Sequence, residues 1–166
     1  LERLLVAPVS FRQVVWGYVT GFAGFAMVQS AIVLSYFLLL IQFPVQLTTL
    51  AAVVVVILLL MVLALLMGLL ASFLAKNEFQ VIQFVPLVIL PQVFLSDLIW
   101  DINTFPWAFQ LISYGMPLTH ANIAVRDMLI RGHSLFDNAT ELAALATFVL
   151  VCVALVEFVG RRHQTG

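Results

Sequence analysis

The amino-acid sequence predicts an all-α fold: a polytopic membrane helical bundle of four transmembrane helices, with a re-entrant extracellular helical hairpin before the last span. Three observations predict it. The chain is 64% apolar and only 9% charged, with mean hydropathy +1.16, whereas ordinary soluble domains carry roughly a quarter charged residues. Residues 13–75 contain no charge at all, and a crossing takes roughly 20 apolar residues. Residues 79–118 begin like a span but then admit Pro86, Pro91, Asp97, Asp101, Pro106, Gly115 and Pro117, which a lipid-facing backbone cannot satisfy throughout.

Residues 1–6 form a short amphipathic stretch, ended by Pro8 because the residue before a proline disfavours helix. Ser10 with Gln13 has capping-box spacing, so a long helix is expected to start near Phe11. The charge-free run crosses twice, with its turn among Gln42, Pro44, Gln46, Thr48 and Thr49. The first two spans are expected at 16–41 and 50–75. Lys76-Asn77-Glu78 then interrupts, and 79–96 is the third span, kinked at Pro86 and Pro91.

Residues 102–125 have the length to cross but the wrong content, including Asn103, Thr104, Gln110, Ser113, Thr119 and His120. They read as non-spanning, with 107–112 a half-apolar piece stopped by Gly115 and Pro117. Residues 122–138 read as a polar connector, so 97–138 as a whole is expected to be an extracellular re-entrant hairpin and connector. The last span is 139–160. With four crossings, Arg3, Arg12, Lys76, Arg161 and Arg162 share one side and Arg126 and Arg131 the other. The positive-inside rule then places the termini of this segment in the cytoplasm.

Composition excludes several functions. A net charge of −1 leaves no electrostatic footprint for nucleic acid. The single cysteine, Cys152, cannot form an internal disulfide. No G-x-x-x-x-G-K-[ST], G-x-S-x-G or H-E-x-x-H occurs, and His120, His133 and His163 lack metal-ligand spacing. No catalytic or metal residue is expected, and any work done must draw its energy from elsewhere.

Asp97 and Asp101 are four apart, on one face if helical. They read either as an ion or proton relay or as an interfacial pair already in water. Gln29, Gln83 and Gln92 are polar positions within spans that either border a translocation path or hydrogen-bond between helices. Gly17 and Gly21, with Gly24, permit close helix approach, inside the subunit or across a dimer. Glu157 precedes Arg161 by four residues and reads as an ion pair near a helix end.

Three blocks, LERLLVAPVSFRQVVWGY, NEFQVIQFVPLVILPQVFLS and FPWAFQLISYGMPLTHANIAVRDMLIRG, resemble the second half of a type-2 exporter permease of the ATP-binding-cassette transporters. The resemblance covers nearly the whole chain in order. It implies a plasma-membrane permease that works as a dimer, a homodimer being expected, with a separate nucleotide-binding ATPase subunit. ATP and Mg would be bound by that partner, with no cofactor in this chain. Glu2, Arg3, Leu4, Leu5, Pro8 and Arg12 would fall in the coupling segment that docks on the ATPase. Asp97, Trp100, Asp101, Phe105, Pro106, Trp107 and Pro117 would fall in the extracellular gate and re-entrant region, and Arg126 and Asp127 in the connector. The four spans would correspond to the third through sixth of the family, so Leu1 is expected to continue a longer chain. The family usually has glycine where Asp97 stands and an aromatic near His120, so the departures here reflect either a more polar outer gate or loop drift. Two rival classes are an ion-coupled secondary transporter or channel using Asp97 and Asp101, and a membrane assembly subunit without a transport path.

Overall fold

The computed structural model describes residues 11–41, 46–75 and 77–164, and all secondary structure among them is helical. Six α-helices follow in order: α1 Phe11–Ile41, α2 Leu47–Leu74, α3 Glu78–Leu95, α4 Trp107–Tyr114, α5 Pro117–Ile130 and α6 Ala139–Gln164, with a 3-10 turn at Ile102–Thr104 between α3 and α4.

Among the described residues three stretches are long and apolar enough to cross a membrane: Trp16–Leu40 in α1, Leu47–Leu74 in α2 and Ala139–Gly160 in α6. The α3 helix has 18 residues, so it rises about 27 Å, just under the roughly 30 Å of a bilayer core. Its start is fixed by Asn77, whose side chain accepts the Gln80 N–H at 2.8 Å. The kink expected at Pro86 and Pro91 does not break it: α3 is one helix from Glu78 to Leu95. Pro86 and Pro91 each lack an N–H, which leaves the carbonyls of Ile82 and Leu87 without their helical donors. Both of those residues lie on the exposed side of the helix.

The core is organised around α2, not around the proline-rich third span. Near its start, Ala52, Val53 and Val56 pack with Ala121, Ala124 and Met128 of α5 and Leu145 of α6. Further along, Leu66 packs with Val19 of α1 and Val156 of α6. α2 and α6 make the most extensive pairing, α5 wedges against both, and α1 rests chiefly on α2.

The reading of 122–138 as a polar connector is corrected by this arrangement. Its first half belongs to α5, whose Ala121, Ala124 and Met128 are at most 2% exposed. Pro117 at the first position pre-sets the helical φ and wastes no donor. The buried residues follow at spacings of three and four, and their small side chains let α5 approach α2 closely. Arg126, Asp127 and Arg131 leave the helix by its other faces, so charge masked an amphipathic pattern. Gly132, at φ 70°, turns the chain, and the His133 N–H reaches back to the Asp127 carbonyl at 3.1 Å. The short true connector is then closed by Asp137, which accepts the Ser134 N–H and hydroxyl at 2.8 Å each. Those bonds, the backbone one foremost, hold the Asp137 carboxyl below its ordinary range.

Candidate functional site

Buried polar side chains gather where α3 ends against α4, α5 and the start of α6: Ser96, Ser113 and Thr119 are fully buried. A helix leaves its last carbonyls without helical donors. Around the end of α3 the Ser96 hydroxyl turns back to the Val93 carbonyl at 3.4 Å, and the carbonyls of Leu95, Ser96 and Asp97 are taken by side chains from other elements. Ser113 of α4 donates to the Leu95 carbonyl. Asn122 of α5 donates to the Ser96 carbonyl at 2.9 Å and to its hydroxyl at 3.1 Å. Arg126, one turn further along α5, donates to the Asp97 carbonyl at 2.5 Å.

Asp97 is the hub of this corner. Its φ of 62° is the left-handed conformation that glycine adopts freely and that aspartate tolerates when its short side chain bonds locally. One carboxylate oxygen accepts the Ile102 N–H at 3.0 Å and the other pairs with the Arg126 guanidinium. Asp101 does something different: it caps the 3-10 turn, accepting the Asn103 N–H and side-chain amide at 2.8 Å each. The two carboxylates therefore do not share a helical face, because α3 has already ended at Leu95. The expected grouping of Asp97 with Asp101 is replaced by Asp97 with Arg126.

A second tether joins the α4–α5 corner to α6. The Nδ1 of His120 contacts the Glu141 carboxylate, and its Nε2 lies 2.9 Å from the Tyr114 carbonyl oxygen. The Phe148 ring lies beside the imidazole, tilted, with the ring centroids 6.0 Å apart.

Around these tethers the apolar cap residues stay exposed. Trp100 stacks on Phe94 at 5.7 Å, and Trp107 is 79% exposed; amphipathic rings of this kind favour a membrane–water interface. Phe105 contributes its carbonyl to Gln110 at 2.8 Å, Pro106 precedes α4 as its cap, and Pro117 is buried at the start of α5.

The three path candidates are not brought together. Gln29 borders a cleft of about 400 Å³ between α1, α2 and α5, lined mainly by Val33, Phe37, Leu50, Val53 and Val125. Gln83 and Gln92 lie on α3 and are not among its lining residues; the Gln92 amide turns back to the Val88 carbonyl at 3.4 Å. Gly17, Gly21 and Gly24 meet no neighbour: a Cβ added at any of them would find nothing within 4 Å. Of the coupling candidates, Glu2, Arg3, Leu4, Leu5 and Pro8 lie outside the described residues, as does Ser10, and Arg12 is placed only as backbone in the first turn of α1. The side chain of Arg161, the expected partner of Glu157, is likewise outside them.

Sequence reasoning missed the Glu141 contact and the roles of Ser96, Ser113 and Asn122. The alternating burial of α5 could have found the last of these, since Asn122 lies four residues before Arg126 on one helix face.

Replacing Arg126 by alanine leaves the Asp97 carboxylate, 12% exposed, with one backbone donor. The expected loss is about 1–2 kcal/mol, below the figure for charged hydrogen bonds because the Arg126 side chain is 42% exposed and water screens it. On an Asp97→Gly background the same replacement is expected to cost at most about half as much, since no carboxylate is stranded. Unfolding of the four proteins in detergent measures the cycle.

Long apolar helices packed about a central one, with a hydrogen-bonded cap at one end, define a multi-pass membrane protein. The chain belongs to the ABC-2 type transporter family, whose model matches residues 1–130. The chain thus carries a permease-type membrane domain of that family. It is 26% identical over 145 residues to ABC transporter G family member 20 of Dictyostelium discoideum, covering 87% of this chain and 20% of that protein. It is 27% identical over 85 residues to Nodulation protein J of Rhizobium leguminosarum bv. trifolii, covering 51% of this chain and 32% of that protein. The chain therefore spans about a fifth and a third of the length of these relatives. No solved structure matches it.

Proposed function

We propose that this chain is half of an export pathway, moving a substrate out of the cytoplasm with energy from a separate ATPase subunit and pairing with a second permease subunit. The observation that carries the reading is the asymmetry of the bundle. One end holds a cap of short helices, tied down by Arg126–Asp97 and His120–Glu141, while the other receives the charged start of α1. A cap whose helices are too short to cross suits the outer mouth of a path. In this reading α3 crosses as well and brings the count to four, its short length met by local thinning or flanking residues, and 97–138 is extracellular. The termini of the segment face the cytoplasm of a plasma-membrane protein, where residues 1–13 meet the ATPase. ATP and Mg belong to that partner, and the sequence itself has no phosphate-cradling loop. The cleft beside Gln29, between the second half of α1, the first half of α2 and α5, supplies the outer part of a path.

A cysteine placed at Trp107, which is 79% exposed, tests the topology in intact cells after Cys152 is replaced. Membrane-impermeant thiol reagent applied outside is expected to label it fully. Labelling only by reagent confined to the cytosol would remove both the four-crossing topology and the exporter reading.

A further inference from the structure

The surroundings of His120 require more hydrogens than a neutral histidine owns. Its Nδ1 faces the Glu141 carboxylate and its Nε2 faces the Tyr114 carbonyl at 2.9 Å. A backbone carbonyl only accepts, an ionised carboxylate only accepts, and a neutral imidazole has a single N–H. Both contacts are satisfied together only if the pair holds one more proton than a neutral histidine beside an ionised glutamate. An imidazole nitrogen is a stronger base than a carboxylate oxygen, so the proton rests on the ring and both ring nitrogens donate. The side chains are 14% and 20% exposed, which limits the water available to replace a lost partner.

We infer that His120 and Glu141 form a binding site for a single proton, which latches the Tyr114–Pro117 corner of the cap to the first turn of α6. With the proton bound, one imidazolium grips an α4 carbonyl and an α6 carboxylate at once. Without it, one of the two contacts becomes acceptor against acceptor and opens. The site rests on geometry alone and stands whether or not the chain exports.

Other ionisable groups of the packed elements are engaged elsewhere. α2 has no charged residue. Asp97 is held by Arg126, and Asp127 by Arg131 with His133 at 3.7 Å. Asp137 is held by Ser134. Tyr114 presents its carbonyl, not its phenol.

Glu141→Gln distinguishes a proton site from a merely structural contact. A glutamine amide donates to Nδ1 while the neutral ring donates to Tyr114, so this variant closes the latch with no extra proton. Sign follows from proton counting: the folded wild type binds more protons than the unfolded chain, so its stability falls as pH rises. Between about pH 6 and about pH 9, a window that brackets an ordinary histidine's titration, the wild-type unfolding midpoint is expected to drop about 2–4 °C more than that of Glu141→Gln, the shift of one lost hydrogen bond in a chain this size. Contributions of His133 are common to both proteins and cancel. Equal pH slopes in the two proteins overturn the inference. Ring-¹⁵N-labelled histidine in the wild type gives a second measurement that needs no variant. In the folded wild type at neutral pH both His120 nitrogens are expected to carry hydrogen; a ring carrying only one overturns the proton site.

Discussion

Truncating Leu145 to alanine is expected to destabilise the bundle by about 2–3 kcal/mol, while the same truncation at Leu150 on the same helix costs less than about 0.5 kcal/mol. Leu145 is fully buried against Val56 of α2 and Ala124 and Met128 of α5, whereas Leu150 is 69% exposed. In a soluble core, Leu→Ala costs about 2–5 kcal/mol from lost transfer energy plus the cavity left behind. In a bilayer the transfer part shrinks, because lipid is as apolar as leucine, and the packing part remains. Leu150 loses neither, since lipid fills the space. Reversible unfolding in mixed micelles measures both. Equal costs would mean that α5 is not seated between α2 and α6, and the cap would then have no rigid base from which Arg126 and His120 could hold it.

That seat is where the sequence was least legible. The spans were readable because a charge-free run longer than one crossing admits few folds, and α1, α2 and α6 lie within a few residues of the expected bounds. The break at Lys76-Asn77-Glu78 and the stop of α4 at Gly115 follow from caps and breakers that act over a few residues. α5 failed the same reading because its charges were counted while their spacing was not. Arg126, Asp127 and Arg131 made the segment look like a connector, yet Ala121, Ala124 and Met128 fall on one helical face. Long-range pairing escaped for a different reason. Asp97 and Arg126 are 29 residues apart, and His120 and Glu141 are 21 apart; only packing brings them together. Asp101, nearer in sequence to Asp97 and of like charge, was the natural but mistaken companion.

Removing residues 1–6 from the full-length transporter is expected to abolish substrate-stimulated ATP hydrolysis and ATP-driven transport while leaving membrane insertion and the cap tethers intact. α1 is a continuous helix of 31 residues, a rod of about 46 Å, and Val19 is its one side chain among the deeply buried core residues described. The rest of its contact with the bundle is shallow and falls mainly on α2. A push on the N-terminal end of such a rod disturbs few packed side chains, yet it changes the width of the cleft that α1 shares with α2 and α5 beside Gln29. α2, by contrast, is pinned to α5 and α6 through Val56 and Leu66, and it supplies the fixed wall. An input at 1–6 therefore reaches the cleft through the most weakly held helix. Proteoliposomes carrying both subunits measure it. Full stimulated hydrolysis in the deletion variant would put the coupling elsewhere, and transport driven by an ion gradient without ATP would replace the ATPase with a secondary mechanism. If α1 is the moving wall, a disulfide pinning it to α2 at the level of Val53 should block transport as completely as the deletion while leaving ATP binding by the partner unchanged.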